Sequence, residues 1–239
     1  MPAGMEAVIL AGGAGVRLRE VVRDLPKPMA PVGDRPFLGY LIDQLVHWNV
    51  RDIVLATGYK SEVVETHFGD GRSHGAKIRY SVEARPMGTG GALRDALRMV
   101  RGDQFLLLNG DSFLDVDLAE LAEFHRGHGG VGTIALVERP DTSRYGRVSL
   151  SDRGRILSMR EKGIAGPGLI NGGVHVWSRE ISRRIGQGTV SLENDVVPGL
   201  LPLGVFGKII LGYFVDIGIP EDYETARRDC ARLRPCPKG

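Results

Sequence analysis

The sequence predicts an α/β protein with a mostly parallel central sheet, and three observations support this prediction. Short apolar runs of strand length alternate with amphipathic stretches of helical periodicity through the first half of the chain. Such alternation is typical of a parallel sheet that helices cover on both faces. From residue 131 onward, by contrast, strand-like runs follow one another with only short turns between them. We therefore expect a Rossmann-like three-layer α/β/α sandwich that carries a small antiparallel excursion.

The individual elements can be placed in chain order from the same periodicities. Apolar residues after Pro36 recur at helical spacing, and Ser61, Asp117 and Ser191 stand where N-cap residues are expected. Strands are predicted at 8–10, 53–57, 78–82, 105–109, 131–137, 145–150 and 156–160, and an aromatic strand is predicted directly before Asp216. Helices are predicted from 37 to about 49, at 61–68, 92–100 and 118–125, and from 220 to about 233.

Length and composition fit one domain, or one domain with a small lobe. The 239 residues, 42% of them apolar, are enough for a full core, and we expect a single domain at 1–233 with the excursion at about 131–177 and a disordered tail at 234–239. The 31 basic and 29 acidic residues nearly balance, so neither nucleic acid nor a membrane surface is an expected partner. No leader pattern and no apolar run of about 18 residues is present.

The two cysteines, Cys230 and Cys236, lie in the last ten residues. A disulfide within the tail is one interpretation. Two free thiols in a reducing cytoplasm are the simpler one. We therefore expect a cytoplasmic protein, either a monomer or a small homo-oligomer.

A glycine-rich turn after the first strand is the strongest functional signal. Gly12, Gly13 and Gly15 leave backbone N–H groups uncovered, and such groups can close around phosphate oxygens. Arg17 and the proline-framed Lys27 add two cations, which favours a polyphosphate ligand. The spacing matches neither the dinucleotide fingerprint nor the P-loop. An ordinary tight strand-to-helix turn is the alternative.

Acidic residues follow the most apolar predicted strand, 105–109. Asp111 would lie at the carboxyl end of a central strand, where open α/β sheets bind ligands. Asp115 and Asp117 offer a second possible metal pair nearby. We prefer Asp117 as the N-cap of the following helix.

Several motifs together resemble one family, the sugar nucleotidyltransferases, which join a sugar 1-phosphate to a nucleoside triphosphate. The match begins with G-G-x-G-x-R-L at 12–18 and P-K-P at 26–28. It continues with P-x-G-T-G-G-A at 86–92, G-D at 110–111 and E-K at 161–162. N-x-G at 171–173, S-x-E-x-D at 191–195 and D-I-G at 216–218 complete it, with Ile219 where threonine is commoner.

The resemblance implies roles for particular residues. The implied catalytic residues are Arg17, Lys27, Asp111, Lys162 and Asp216, with Asp111 and Asp216 as ligands of Mg²⁺. The implied nucleotide-binding residues are Leu10, Ala11, Gly12, Gly13, Gly15, Arg17, Glu83, Gly88 and Thr89. The implied sugar-phosphate-binding residues are Asn109, Gly146, Glu161, Lys162, Asn171 and Gly172.

These residue types suit the implied reaction. Attack of a phosphate oxygen on an α-phosphorus brings two polyanions together, so the protein must neutralise charge and align the reactants. Mg²⁺ prefers one or two carboxylates together with phosphates and waters, which fits two aspartates. The attacking oxygen is already ionised. No nucleophilic side chain is needed, and direct displacement is expected.

The substrate pair is predicted from one carboxylate and from the closest resemblance within the family. Glu83 precedes the 86–92 loop, and its carboxylate can accept hydrogen bonds from guanine N1–H and the exocyclic amine, which favours GTP over UTP or dTTP. A backbone amide could instead read a pyrimidine. The short chain most resembles the D-glycero-D-manno-heptose 1-phosphate guanylyltransferases, bacterial enzymes that make GDP-heptose for capsule or lipopolysaccharide. Mannose 1-phosphate is the nearest alternative sugar.

Two other classes of protein are alternatives. A metal-dependent glycosyltransferase would use Asp115 and Asp117, but would have no need of the glycine turn with Arg17 and Lys27. A regulatory homologue that only binds nucleotide sugar would usually lack a catalytic cation or a metal-binding aspartate.

Overall fold

The structure is a computed structural model that describes residues 4–13, 15, 18, 21–22, 24–160 and 163–234, and the statements below concern these residues. The strands in chain order are β1 Glu6–Leu10, β2 Pro31–Val32, β3 Arg35–Pro36, β4 Asp52–Thr57, β5 Lys77–Val82, β6 Gln104–Asn109, β7 Ser112–Leu114, β8 Gly132–Arg139, β9 Arg147–Leu150, β10 Ile156–Arg160, β11 Gly168–Ser178, β12 Val205–Ile209 and β13 Phe214–Asp216. The α-helices are α1 Phe37–His47, α2 Ser61–Phe68, α3 Gly88–Ala96, α4 Leu118–His128, α5 Val197–Leu200 and α6 Pro220–Arg228.

The main sheet is built around β1. It lies between β4 and β6, parallel to both, and β5 adds a further parallel strand beyond β4. The chain therefore moves from β1 outward to β5 and then crosses back to the other side of β1 for β6. Open α/β sheets form a crevice at the carboxyl ends of the strands where the order reverses in this way. The predicted parallel sheet is confirmed, and its crevice lies at the carboxyl ends of β1 and β6.

Antiparallel strands extend this sheet on the β6 side. The carboxyl half of β11 pairs antiparallel with β6, and its other edge pairs with β8, to which β12 is parallel. The amino half of β11 pairs with β9, which forms a hairpin with β10. The expected antiparallel strands are therefore present, and they continue the main sheet. A parallel neighbour for β8 comes from β12, a strand that periodicity did not predict.

Two buried layers enclose the sheet. On one face, β1 side chains such as Ile9 pack with helix α1, with Leu121 of α4 and with Tyr223 of α6. On the other face, Val8 packs with Leu93 of α3 and with α5. Successive strand residues point to opposite faces, so both faces of a central strand must be apolar. This arrangement confirms the three-layer sandwich.

Two of the three predicted N-cap residues cap a helix in the structure. Asp117 accepts a hydrogen bond from the backbone N–H of Glu120 (2.9 Å), which confirms the predicted N-cap. Ser191 likewise caps a short π-helix, Leu192–Val196. Ser61 is wrong as a cap: it is the first helical residue, it follows Lys60 in the left-handed region, and its side chain makes no capping bond.

The structure also bears on membrane-spanning helices and on the cysteines. Among the described residues, no helix is both long and apolar enough to cross a membrane. Cys230 carries no disulfide within the described part of the chain, and Cys236 lies outside it.

A buried carboxylate secures the amino end of β1, away from the crevice. Glu6 is 6% exposed and accepts hydrogen bonds from the backbone N–H groups of Arg101 (2.6 Å) and Gly102 (3.0 Å) and from Arg79 (2.6 Å). Burial alone would raise the pKa of Glu6, but these N–H groups and the Arg79 guanidinium outweigh it and lower the pKa. The ionised form therefore stabilises the fold.

We expect Glu6→Gln to lower the free energy of unfolding by about 1–3 kcal/mol at neutral pH, because an amide cannot satisfy the same donors. A carboxyl group with a depressed folded-state pKa stabilises above its unfolded pKa and loses that contribution as pH falls through the folded pKa. The difference between the two proteins should therefore shrink in acid. Urea unfolding from pH 7 to pH 3 measures it. The exposed Glu62→Gln variant serves as the control and should match the parent throughout.

Candidate active site

The paired strands β1 and β6 stay in direct backbone contact just beyond their carboxyl ends, at the base of the crevice. The backbone N–H of Gly110 donates to the carbonyl of Leu10 (2.9 Å), and a Cβ at residue 110 would lie 2.5 Å from that oxygen. Only glycine fits so close an approach. Asp111 follows directly and is thereby held at the mouth of the crevice.

A second aspartate is brought beside Asp111 by a two-stranded ladder. Strand β13 pairs antiparallel with β7, which places Asp216 opposite Ser112. The backbone N–H of Ile217 also donates to the carbonyl of Asp111 (2.9 Å). Two carboxylates that are far apart in the chain therefore share one end of the sheet, as the sequence predicted.

Lys27 lies between these carboxylates. Its Nζ is 2.5 Å from Asp111 Oδ2 and 4.0 Å from Asp216 Oδ1, and its side chain is only 11% exposed. The lysine begins a short 3₁₀ helix, Lys27–Met29, in which Pro28 and Met29 are buried. The proline-framed turn thus fixes the backbone and directs the ammonium group into the crevice.

Asp216 carries negative charge that its neighbours offset only in part. Burial and the charge of Asp111 raise its pKa to about 6, against the opposing effects of Lys27 and of the Gly218 N–H, which donates to Oδ1 at 2.5 Å. A Cβ on Gly218 would lie 2.6 Å from Asp216 Oδ1, so glycine is required there. Two carboxylates facing one lysine leave net negative charge, which a divalent cation would neutralise.

The donor set fits Mg²⁺ that arrives with a phosphate ligand. No group of three or more metal-binding side chains occurs in the described ranges, so the residues do not form an all-protein cage. Mg²⁺ in phosphoryl-transfer sites typically takes one or two carboxylates and fills its other positions with phosphate oxygens and water. Asp111 and Asp216 provide such a pair.

One cavity of about 570 Å³ opens on the parallel side of the crevice. Of the predicted nucleotide-binding residues, those that line it are Leu10, Gly12, Gly13, Glu83, Gly88 and Thr89. Ala11 is buried instead, with its N–H bonded to the carbonyl of Ala56 (2.7 Å). Gly15 lies against the Lys27 side chain with φ +58°. Arg17 lies outside the described residues.

Glu83 is placed inside this cavity by two glycines. A Cβ on Gly12 would lie 2.9 Å from Glu83 Oε2, and one on Gly58 would lie 3.3 Å from it. Glu83 Oε1 accepts from the backbone N–H of Met87 (3.2 Å). Burial raises the pKa of Glu83 and outweighs this hydrogen bond. One carboxylate oxygen is thus held by the 86–92 loop.

The 86–92 loop turns directly into α3, which begins at Gly88 and not near Ala92 as predicted. Gly88 has φ +72°, and a Cβ there would lie 2.4 Å from the carbonyl oxygen of Val190. Thr89 Oγ1 accepts from the backbone N–H of Leu192 (2.8 Å). The glycines therefore form the first turn of the helix, packed against the segment before the π-helix.

A second cavity, also of about 570 Å³, opens on the antiparallel side. Three predicted sugar-phosphate residues line it, namely Asn109, Gly146 and Asn171. Gly172 instead packs against Leu114, where a Cβ would lie 2.8 Å from Cδ2. Glu161 and Lys162 lie outside the described residues.

The two cavities meet at three residues, Asn109, Asp111 and Glu193, which line both. Molecules bound on the two sides would therefore approach each other beside Asp111, Lys27 and Asp216. This geometry suits the transfer of a charged group between two ligands. Asp117 is a helix cap, and neither it nor Asp115 lines these two cavities, so the metal pair considered for a glycosyltransferase is not formed there.

Sequence reasoning missed several cavity residues. They are Tyr59, Arg85, Ser112, Tyr145, Arg160, His175 and Glu193. Glu193 entered the prediction only as part of the S-x-E-x-D motif. Ser112 has one local signal, since it follows the strand-end aspartate, and its buried Oγ has no hydrogen-bond partner within the described ranges. Most of the others lie on loops or strand ends whose position depends on the tertiary fold.

The pKa of Asp216 should respond to the charges beside it. We expect Asp111→Asn to lower the pKa of Asp216 from about 6, because a like charge is removed, and Lys27→Met to raise it. Carboxyl ¹³C chemical shifts followed from pH 3 to pH 8 report both changes. Asp152→Asn, in the exposed turn between β9 and β10, is the control and should leave the titration unchanged. An Asp216 titration insensitive to Asp111→Asn would contradict the described geometry.

Comparison with known proteins agrees with this site. The family model described as "Nucleotidyl transferase" matches residues 6–231. The D-glycero-alpha-D-manno-heptose 1-phosphate guanylyltransferase of Aneurinibacillus thermoaerophilus is 41% identical, over 94% of this chain and 98% of its own. The mannose-1-phosphate guanylyltransferase of Mycobacterium tuberculosis is 36% identical, over 98% of this chain and 67% of its own.

A solved structure gives the same result in three dimensions. The crystal structure of HddC from Yersinia pseudotuberculosis complexed with GMP-PN superposes with a TM-score of 0.85 at 32% identity. The superposition covers 95% of this chain and 99% of that one. The match along almost the whole chain and the paired cavities lead to one conclusion: this protein is an enzyme of the nucleotidyl transferase family.

Proposed function

We propose that this enzyme transfers a guanylyl group from GTP to D-glycero-D-manno-heptose 1-phosphate, giving GDP-heptose and pyrophosphate. The observation that carries the proposal is the meeting of two cavities at Asp111, beside Lys27 and Asp216. The relatives named for heptose 1-phosphate guanylyl transfer support the same substrate pair. We further propose that the enzyme acts in the cytoplasm and that its product serves capsule or lipopolysaccharide synthesis.

The proposed reaction is a direct displacement. A phosphate oxygen of the sugar 1-phosphate forms a bond to the α-phosphorus of GTP, while the bond from that phosphorus to the bridging oxygen breaks. The electron pair of the broken bond leaves with pyrophosphate. Lys27 would neutralise phosphate charge beside Asp111, and Asp111 and Asp216 would hold Mg²⁺. A bound Mg²⁺ would supply further charge neutralisation and alignment of the phosphates.

The family resemblance adds two cations to this proposal, Arg17 and Lys162, which lie outside the described residues. Arg17 would bind the departing pyrophosphate with its planar guanidinium, and Lys162 would bind the phosphate of the sugar. Glu161 and Asn171 would bind sugar hydroxyls. Arg17 follows the glycine turn that lines the nucleotide cavity, which is consistent with its proposed role.

GTP is favoured by the position of Glu83. Its carboxylate lies within the nucleotide cavity and can accept hydrogen bonds from N1–H and the exocyclic amine of guanine. Uracil and thymine present carbonyl oxygens on either side of their single N–H, and a carboxylate would repel those oxygens. Mannose 1-phosphate is the second candidate acceptor, because the mycobacterial relative is named for that sugar.

Coupled pyrophosphate release measures the reaction over a panel of nucleoside triphosphates and sugar 1-phosphates with Mg²⁺. We expect the highest kcat/KM for GTP with the heptose 1-phosphate. A clear preference for UTP or for glucose 1-phosphate would refute the proposed substrates. No turnover with any pair would refute the proposed reaction.

The carboxylate pair should be essential for turnover. We expect Asp111→Asn and Asp216→Asn each to lower kcat by about 10²-fold or more, because each removes a charge arranged around the reacting phosphates. Arg17→Ala should cost a similar factor. Asp152→Asn is the matched exposed control and should retain parental kcat. Near-normal Mg²⁺-dependent turnover by Asp216→Asn would mean that the metal assignment is wrong.

Glu83 should set the base preference. In Glu83→Gln one carboxylate oxygen becomes an NH₂ group, which would face the donors of guanine. We expect kcat/KM for GTP to fall by about tenfold, the cost of one unmade hydrogen bond. The value for UTP should change less, so the ratio of the two reports the effect. Glu62→Gln is the control, and an unchanged ratio in Glu83→Gln would assign base recognition to other groups.

A further inference from the structure

Strand β11 contains a bulge beside the point where the two cavities meet. Its pairing with β8 shifts register between Asn171 and His175. In a regular strand, the Cα atoms of residues four positions apart are separated by about 13 Å. Here Asn171 Oδ1 and His175 Nε2 are only 2.8 Å apart. Gly172 and Gly173 form the bulge, and Gly173 has φ +77° and no room for a Cβ, which would lie 2.2 Å from Ser112 Oγ.

The protonation of His175 follows from its partners. Trp177 Nε1 donates to His175 Nδ1 (3.2 Å), and an indole N–H can only donate, so Nδ1 is the bare acceptor. His175 is 1% exposed, and burial lowers its pKa to about 3, which keeps the ring neutral. The single ring proton therefore lies on Nε2, which donates to Asn171 Oδ1.

These donors fix the side-chain amide of Asn171. Its Oδ1 accepts from His175 Nε2 and from the backbone N–H of Gly173 (2.8 Å), which occupies both lone pairs. The NH₂ group must then face the other way. One of its hydrogens is donated to Glu193 Oε1 (2.9 Å), and Asn171 lines the sugar-side cavity. Asn171 can therefore offer a ligand only a donor, next to the carboxylate of Glu193.

We propose that His175 is a positioning residue for the acceptor substrate. By holding the amide of Asn171 in one orientation, it presents the N–H of Asn171 and the carboxylate of Glu193 together, a donor and an acceptor matched to adjacent sugar hydroxyls. This inference rests on the proposed function, because it assigns the sugar 1-phosphate to the cavity that Asn171 lines. A histidine that only filled the core would have no such effect on substrate binding.

Two substitutions separate positioning from packing. His175→Leu keeps comparable volume but removes the donor, and we expect the KM for the sugar 1-phosphate to rise by about tenfold, the cost of a lost buried hydrogen bond. His175 also lines the parallel-side cavity, but both of its ring nitrogens are engaged within the protein, so the KM for GTP should change less than the KM for the sugar 1-phosphate. His175→Gln places an amide nitrogen at the position of Nε2 and should restore most of the affinity. Equal effects on both substrates, or no rescue by Gln, would overturn the proposal.

A double-mutant cycle adds a second kinetic criterion. His175 acts through Asn171 in this proposal, so its removal should cost nothing further once Asn171 is truncated. We expect kcat/KM for the sugar 1-phosphate in Asn171→Ala with His175→Leu to equal that of Asn171→Ala alone. Fully additive losses would show that His175 acts by another route.

One measurement is independent of turnover and so separates this proposal from the proposed function. ¹⁵N NMR of histidine-labelled wild-type protein should show His175 neutral with its proton on Nε2, the resonance being assigned by its loss in His175→Leu. In asparagine-labelled protein, the chemical shifts of the Asn171 NH₂ group should differ from those of solvent-exposed asparagines in the wild type and in His175→Gln. In His175→Leu they should move toward the solvent-exposed values. A proton on Nδ1, or Asn171 signals unaffected by His175→Leu, would overturn the positioning role even in a fully active enzyme. Positive NMR results with no guanylyl transfer would refute the proposed function, while the orientation of Asn171 by His175 would stand.

Discussion

The whole site depends on one electrostatic constraint, the convergence of two carboxylates and one ammonium group at a single end of the sheet. Asp111 follows the carboxyl end of β6, Asp216 ends β13, and Lys27 lies on a proline-framed turn. Like charges at short range raise each other's pKa, especially when buried. The β7–β13 ladder holds the carboxylates together despite this repulsion, and Lys27 offsets only part of their charge. The remaining negative charge suits a divalent cation that arrives with phosphate.

Close backbone approaches make this convergence possible, and glycine is needed at each of them. Gly110 lets the ends of β1 and β6 meet, Gly218 lets the chain turn against the Asp216 carboxylate, and Gly88 lets α3 start against the carbonyl of Val190. In each case a Cβ would lie 2.4–2.6 Å from an oxygen atom. The glycine content of the motifs therefore reflects the shape of the crevice.

The two halves of the sheet line different cavities. The parallel half supplies the glycine turn and Glu83 for the first cavity, whereas the antiparallel half supplies Gly146 and Asn171 for the second cavity. Asp111 and Glu193 lie where the cavities join. Strand β11 links the halves, since it pairs with β6 at one end and with β9 at the other. The bulge within it sets the orientation of Asn171.

The sequence by itself determined the features that depend on neighbouring residues: strands such as β6, the cap at Asp117, the glycine turn and the family motifs. Local periodicity and capping chemistry are visible in a few consecutive side chains. It could not predict β12 as a parallel partner of β8, nor the contact between His175 and Asn171. That contact needs a register shift in β11, and such a shift is decided by packing against β8, Ser112 and Trp177, which only the tertiary structure brings together.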